Sequence, residues 1–478
     1  MLKIENWQNT KILATVGPAS SSYENLLALA KAGVDVFRLN FSHGTHEDHL
    51  EVINRVSYIN EKYRSHIGIL ADLQGPKRRV GQMENDGLEL KAGDIITMVN
   101  EKCIGNKEKV YMSYEQFPMD VEVGEQVLVD DGKLMFEVVE TDKKSQVKLK
   151  ILFDGTLKSN KGVNLPSTKI SLPSLTEKDL RDLEFILTQP FNWIALSFVR
   201  HPDDMIELRK KVEAKGHPAK LIAKIEKPEA IEHIKGIIKE SNGIMVARGD
   251  LGIEVPIEQL PLIQKDIIRR CLKYARPVIV ATQMLDSMIQ DPLPTRAEVT
   301  DVANAVLDGA DCLMLSGETS VGAHPIKVVR QMVRIIEKAE EKLQLKDKRP
   351  KPNRRARTYL SDVICNNAAL AADETKAKAI VGVTSSGYTA FRVSSFRPKT
   401  EIFIFSDRMH MLSTLNLVWG VRCFYYDKFT TSDQTIQDIL KFLKDNKEVD
   451  YGDVVINTGS MPLHKRHRTN MLKISKIE

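Results

Sequence analysis

The sequence predicts an α/β chain: a (β/α)8 TIM barrel, an inserted small β-barrel lid domain and a C-terminal open α/β domain. Three observations carry this prediction. Eight short apolar runs alternate with helix-periodic segments. An interval of about 100 residues, rich in alternating valines and turn glycines, interrupts that rhythm once. A basic, proline-containing stretch then precedes a second round of strand and helix.

The eight runs are KILATVG (11–17), VDVFRLNF (34–41), IGILADL (67–73), WIALSFV (193–199), KLIAKIE (220–226), GIMVARGD (243–250), PVIVATQ (277–283) and CLMLSGE (312–318). Their length and β-branched content suit buried parallel strands. Between them, 22–33 reads as a helix ending on a glycine, and 257–275 and 295–310 read as helices. The interrupting interval, with VEVGEQVLVDDGKLMFEVVE (121–140), reads as a β domain hinged over the barrel rim, where it would serve as a lid. Beyond the linker, a helix over 359–374 and strands over 379–384, 401–406, 421–426 and 452–459 are expected. The expected divisions are 1–74 and 172–345 for the barrel, 75–171 for the lid, 346–357 for the linker and 358–478 for the last domain.

Bulk properties exclude several classes. The 478 residues exceed one core and fit about three domains. No apolar run approaches the roughly 20 residues that span a membrane, and the N-terminus has no signal-peptide pattern. Five scattered cysteines without a CxxC pair point to a reducing, cytoplasmic setting rather than a zinc or disulfide framework. The net charge is +5, but KDKRPKPNRRAR (346–357) alone holds seven cations and one anion. Without it the chain is near neutral, which argues against a nucleic-acid partner.

The chemistry gathers at strand ends. Every barrel run but the first finishes in polar or charged residues, and the C-terminal rim is where such barrels build sites. Residues two apart face the same way, which groups Arg38, Asn40 and Ser42, Lys224 with Glu226, Arg248 with Asp250, and Ser316 with Glu318. Charge on a buried strand is costly without a partner or a purpose. Glu226 and Asp250 end neighbouring strands, and two carboxylates plus water and phosphate oxygens suit Mg2+. Lys224 faces with Glu226, where it would neutralise a transferring phosphoryl group or simply pair with the carboxylate. The Gly249 and Asp250 amides open a helix-compatible stretch that could cradle an anion. Arg38 offers a fork for phosphate or carboxylate. Thr282 ends the seventh strand, as a substrate contact or a cap.

Taken together, TVGPAS (15–20), RLNFSHGTHEDH (38–49), DLQGPK (72–77), KGVNLP (161–166), KIEKPEAI (224–231), MVARGDLG (245–252), ATQML (281–285), PTRAEVTDVANAVLDGADC (294–312) and LSGETS (315–320) make the chain resemble the pyruvate kinase family over essentially its full length. The resemblance implies transfer of the phosphoryl group of phosphoenolpyruvate to ADP, giving ATP and pyruvate, the last step of glycolysis. It implies a homotetramer, Mg2+ held by Glu226 and Asp250, and a second Mg2+ arriving with the nucleotide. It makes Lys224 and Arg38 the groups that meet the phosphoryl group, with Lys224 also at the enolate oxygen. Gly249, Asp250 and Thr282 would hold the substrate carboxylate, Thr282 near the route of proton delivery. Pro18, His43, Arg79 and Lys161 match nucleotide contacts. Asn40, Ser42, Asp72 and the Leu73 carbonyl match a monovalent cation site. A barrel lyase or aldolase acting on the same substrates would lack the nucleotide lid.

Two departures stand out. Lys77 occupies a position where many relatives carry Glu and need K+. Its ammonium could replace that ion beside Asp72, so K+ independence is expected. Arg78 stands where the family usually has Leu or Ile, and either snorkels to solvent or reaches phosphate beside Arg79. In the last domain, Thr384, Ser385, Ser386, Gly387 and Thr389 of TSSGYTAF resemble an effector phosphate loop. The basic tip within 459–472 departs from the family ending.

Overall fold

The computed structural model describes residues 2, 5, 7–168, 173–343, 349–428, 431–461 and 468–478. The lid–barrel division at 171/172, the barrel–linker division at 345/346 and the centre of the basic tip lie outside the described residues.

Eight parallel strands close a barrel in sequence order: Lys11–Thr15, Val36–Asn40, Gly68–Asp72, Trp193–Leu196, Lys220–Ile225, Gly243–Ala247, Val278–Ala281 and Cys312–Leu315. Each lies inside one of the eight apolar runs. Every neighbouring pair is parallel, and the last strand returns to the first. The pleat sorts their inward side chains into layers. Low in the barrel, Leu13, Val36, Leu70, Ala195, Ile222 and Met245 pack into one apolar cluster with Trp193. Two residues further along the same strands stand Thr15, Arg38, Asp72, Ser197 and Lys224. A dry floor therefore supports a polar upper layer.

Local signals set the surrounding helices. Tyr23–Ala32 starts where the Ser22 side chain accepts from Asn25 N and stops at Gly33, φ 122°. Arg296–Asp308 carries a Thr295/Glu298 capping box and ends at left-handed Gly309. The single helix expected over 257–275 is instead a short 3-10 turn, Ile257–Gln259, followed by Leu260–Tyr274. Pro261 explains the restart, because proline fits the first turn of a helix and not its interior.

The inserted segment forms a six-stranded mixed sheet and a two-stranded ribbon. The small β-barrel expected of the insert is realised as these two sheets around one core, in which Val127, Phe136, Leu149 and Val163 are buried. The C-terminal domain has four parallel strands, Ala379–Val383, Glu401–Ser406, Val421–Tyr425 and Val454–Gly459. A fifth, Met471–Lys476, adds antiparallel at the edge and was not expected from its half-exposed, polar-broken pattern.

This last domain closes the bottom of the barrel. Leu417 joins the barrel's interior cluster, and Trp193 Nε1 donates to Thr414 O at 3.1 Å. Lys11 Nζ donates to Val421 O at 3.0 Å, and Arg397 pairs with Asp311 at 2.9 Å. With the bottom covered, the opposite rim, which the inserted segment touches through Asn164 and Glu254, is left as the open end of the barrel.

Candidate active site

The upper layer is a connected set of charges. Arg38 Nε binds Asp72 Oδ2 at 2.7 Å, and Arg38 Nη1 donates to Thr15 Oγ1 at 2.9 Å. Lys224 Nζ lies 3.2 Å from Asp72 Oδ1 and 3.1 Å from Glu226 Oε1, and donates to Ser197 Oγ at 2.7 Å. Ser197 in turn donates to the Leu73 carbonyl at 2.8 Å, and Glu226 Oε2 accepts from Phe198 N at 2.7 Å. Glu226 is 1% exposed.

Burial and pairing compete at each group. Burial is the largest effect on Asp72 and pushes its carboxyl up, but Lys224 and Arg38 together outweigh it and hold the pKa low. Burial pulls Lys224 down, and Asp72 and Glu226 more than offset it, so its pKa is raised and the ammonium is secure. Glu226 goes the other way. Burial raises its pKa, Lys224 opposes that, and the neighbouring Asp250 carboxylate raises it again. Two carboxylates that repel each other at a rim fit a divalent cation. Among the described residues no cluster of three or more His, Cys, Asp or Glu forms a metal cage. A hard cation here would thus take its remaining oxygens from water and substrate, as Mg2+ commonly does.

Across the rim, Arg248–Glu254 is a helix that begins where the strand Gly243–Ala247 ends. Gly249 N donates to Thr282 Oγ1 at 2.7 Å, and that hydroxyl donates to Ala281 O at 2.5 Å. Arg248 Nη2 donates to Thr282 O and Arg248 Nη1 binds Asp301, which fixes this turn. Thr282 and Gln283 have φ of 72° and 54°, and Phe198 has 55°. Left-handed backbone at non-glycine residues is costly, and here it lies beside Gly249 and Glu226.

The other expected residues fall into three places. Asn40 pairs in register with Asp72, and Asn40 Oδ1 accepts from Ser42 N at 3.1 Å. Lys77 is exposed, and Asp72 finds its ion partners in Arg38 and Lys224 rather than in Lys77. Pro18 and His43 line a cavity of about 400 Å3 that also includes Gly17, Asn40 and Ser320. Burial lowers the His43 pKa, and the nearby cations Lys77, Arg79, Arg38 and Lys178 lower it further. At the lid, Lys161 pairs with Asp130 at 2.8 Å and Arg79 Nη1 donates to Asn160 O at 2.8 Å. In the C-terminal domain, residues 384–387 precede the helix Tyr388–Ser395, whose first turn holds Thr389. Gly387 is left-handed and donates to Thr384 Oγ1 at 2.9 Å, while Thr389 bonds Thr469 at 2.6 Å. Ser386 stays exposed and Ser385 half-buried.

Similarity to known proteins agrees with this geometry. The family profile "Pyruvate kinase, barrel domain" matches residues 7–329, and "Pyruvate kinase, alpha/beta domain" matches 362–475. Pyruvate kinase 2 of Synechocystis sp. is 40% identical over 474 residues, covering 98% of this chain and 80% of that protein. A pyruvate kinase of Geobacillus stearothermophilus gives the same figures. A crystal structure of a pyruvate kinase from Cryptosporidium parvum superposes with a TM-score of 0.91 at 35% identity, over 98% of this chain and 96% of that one.

The chain belongs to the pyruvate kinase family.

It is therefore a kinase, an enzyme of the transferase class. Sequence reasoning missed three parts of this pyruvate kinase rim. Ser197 and Thr15 supply the hydroxyls that hold Lys224 and Arg38. Their position on the strand pleat, two residues above Ala195 and Leu13, was the available signal. Phe198, whose amide fixes Glu226, carried none, because its role lies in its backbone.

Proposed function

We propose that this rim transfers the phosphoryl group of phosphoenolpyruvate to ADP and then protonates the enolate to pyruvate. The observation that carries the reading is Lys224, secure in its charge, set between Asp72 and Glu226 with Asp250 beyond. Phosphoryl transfer needs positioning and charge neutralisation more than covalent help. Lys224 and Arg38 would meet the transferring phosphoryl oxygens, Lys224 staying on the enolate oxygen as it develops. The Gly249 and Asp250 amides, with Thr282, would take the substrate carboxylate. That requires the substrate to displace the Thr282 hydroxyl from Gly249 N, its present partner. Thr282 would then be placed near the enolate carbon, where it would help deliver the proton.

Glu226 and Asp250 would hold Mg2+, which when bound supplies Lewis-acid charge at the phosphoryl and enolate oxygens. A second Mg2+ would come with the nucleotide. Pro18 and His43 would border the nucleotide on the barrel side, and Arg79 and Lys161 on the lid side, with Lys161 leaving Asp130 to reach phosphate. Asn40, Ser42, Asp72 and Leu73 make up the place of a monovalent cation in this reading. The Lys77 ammonium would supply that charge, so K+ would not be required. Lid closure would exclude water from the phosphoryl donor.

The same reading makes the enzyme a cytoplasmic homotetramer and gives the 384–389 loop an anion-binding, regulatory role. No described helix is long and apolar enough to cross a membrane. A coupled assay with ADP, phosphoenolpyruvate and Mg2+, comparing wild type with Lys224→Met, tests the central reaction. Titration of sugar phosphates at low phosphoenolpyruvate tests the loop, and no response to any of them would remove its regulatory role.

A further inference from the structure

Arg78 lies at the hinge, and its side chain is buried rather than solvated. It follows a pivot fixed to the barrel. Gly75 has φ 68°, its N–H donates to Asp179 Oδ1 at 3.0 Å, and a Cβ there would come within 2.9 Å of the Phe198 ring. Only glycine suits that position. Just beyond it the outgoing and returning segments pair: Val163 N donates to Arg78 O at 3.0 Å and Val80 N to Lys161 O at 2.9 Å. Arg78 thus travels with the lid, yet its side chain turns inward and is 4% exposed. Its Nε has no hydrogen-bond partner among the described residues.

The charge that most favours the Arg78 guanidinium is Glu254, the last residue of the helix Arg248–Glu254, and the two are linked through neighbours on the returning strand, Val163 bonding Arg78 O and Asn164 bonding Glu254. Glu254 Oε1 accepts twice, from Lys227 Nζ at 2.6 Å and from Asn164 Nδ2 at 3.0 Å. Glu254 Oε2 is buried and has no hydrogen-bond partner. Lys227 follows Glu226 directly, and Asn164 lies on the returning lid strand Val163–Asn164. One carboxylate therefore joins the lid to both carriers of the proposed metal ligands, and one of its oxygens is unused. Burial weakens the Arg78 charge, and Glu254 is the group that most favours it, although no ion pair has closed between them here. A buried guanidinium nitrogen without a partner, near a buried carboxylate oxygen that also has none, is a costly arrangement that a small rotation of the hinge would relieve.

We propose that Arg78 is a lid-positioning residue that closes onto the free Oε2 of Glu254 when the lid swings over the rim. The contact would set the angle at which Arg79 and Lys161 meet the nucleotide. The inference rests on the nucleotide-and-lid reading above.

The test uses the full-length enzyme and four variants: Arg78→Leu, Arg78→Lys, Glu254→Gln and the Arg78→Leu/Glu254→Gln double. KM for ADP and for phosphoenolpyruvate are measured separately. Hydrogen exchange is followed in 75–81 and 161–166 with and without Mg2+·ADP. Arg78→Leu is expected to raise KM for ADP about tenfold, with kcat and KM for phosphoenolpyruvate within about twofold of wild type. It should also abolish the nucleotide-induced protection of the hinge. Arg78→Lys should restore most of both, and the double variant should be no worse than the worse single one. A purely packing role would shift the unfolding midpoint without separating the two KM values. Wild-type KM for ADP and wild-type hinge protection in Arg78→Leu would overturn the inference. So would effects of the two single variants that multiply in the double. If wild type itself shows no hinge protection with Mg2+·ADP, the lid reading fails, and the latch with it.

Discussion

Lys224 and Asp72 are joined across the barrel rim at 3.2 Å, and the same aspartate holds Arg38 at 2.7 Å. One carboxylate thus aligns both cations that would receive the phosphoryl group, before any substrate is present. Such preorganisation removes the reorganisation that free side chains would need in the transition state. Lys224→Met is expected to lower kcat by about 10^3-fold. Its circular dichroism should stay native, because Asp72 keeps Arg38. A coupled assay beside a melting curve checks this, and a rate within about tenfold of wild type would contradict it.

Lys77 is exposed at the start of the lid, close enough to His43 to help lower its pKa. Wild type is expected to turn over equally fast in K+ and in tetramethylammonium buffers at saturating Mg2+. Lys77→Glu reverses the local charge and is expected to make the rate depend on K+. Initial rates across a K+ titration of both proteins decide the matter. A strict K+ requirement in wild type would end the proposal.

His66 lines a cavity that it shares with Asn416, Arg422 and Phe424 of the C-terminal domain, and burial lowers its pKa from 6.5 to about 4. The folded state therefore prefers the neutral ring, while the unfolded chain binds a proton below 6.5. The contribution of this group to stability is complete above pH 6.5 and is lost as pH falls toward 4. It amounts to about 2 kcal/mol between pH 7 and pH 5. Denaturant titrations at the two pH values should show a smaller loss in His66→Phe than in wild type. Equal losses would show that the ring does not titrate this way.

Leu417 reaches from the last domain into the floor of the barrel, where it packs with Trp193, Leu13 and Met245. Leu417→Ala removes most of a fully buried side chain and is expected to cost about 3 kcal/mol. Activity should survive at low temperature, because the polar layer lies above the floor. Thermal unfolding and a low-temperature assay test the two halves of this prediction. A variant that melts with wild type would mean that the domains do not lean on this contact.

The barrel was legible because parallel strands buried on both faces must be continuous apolar runs, and KLIAKIE and PVIVATQ are plain examples. The rim was legible for the opposite reason. Lys224, Glu226 and Arg38 are too costly on strands to lack a partner or a role. What stayed hidden depends on distant parts of the chain meeting. Asp72 could not be assigned to Arg38 and Lys224 over Lys77 from sequence, since Lys224 lies 152 positions away. Arg78, Lys227 and Glu254 are scattered over three segments and become one cluster only in the fold. The edge strand Met471–Lys476 was illegible because it has no buried face to impose a period on its residues. The break before Leu260 was readable in Pro261, and helical periodicity on both sides obscured it.

In the proposed reaction, Lys224, Arg38 and the Glu226–Asp250 pair move a phosphoryl group from phosphoenolpyruvate to ADP. The most direct measurement is phosphorus-31 NMR of the purified enzyme with phosphoenolpyruvate, ADP, Mg2+ and K+. The phosphoenolpyruvate resonance is expected to disappear as ATP appears in equal amount, pyruvate to match it, and chelation of the metal to stop both. Phosphoenolpyruvate consumed to inorganic phosphate without ATP, or no consumption at all, would contradict it.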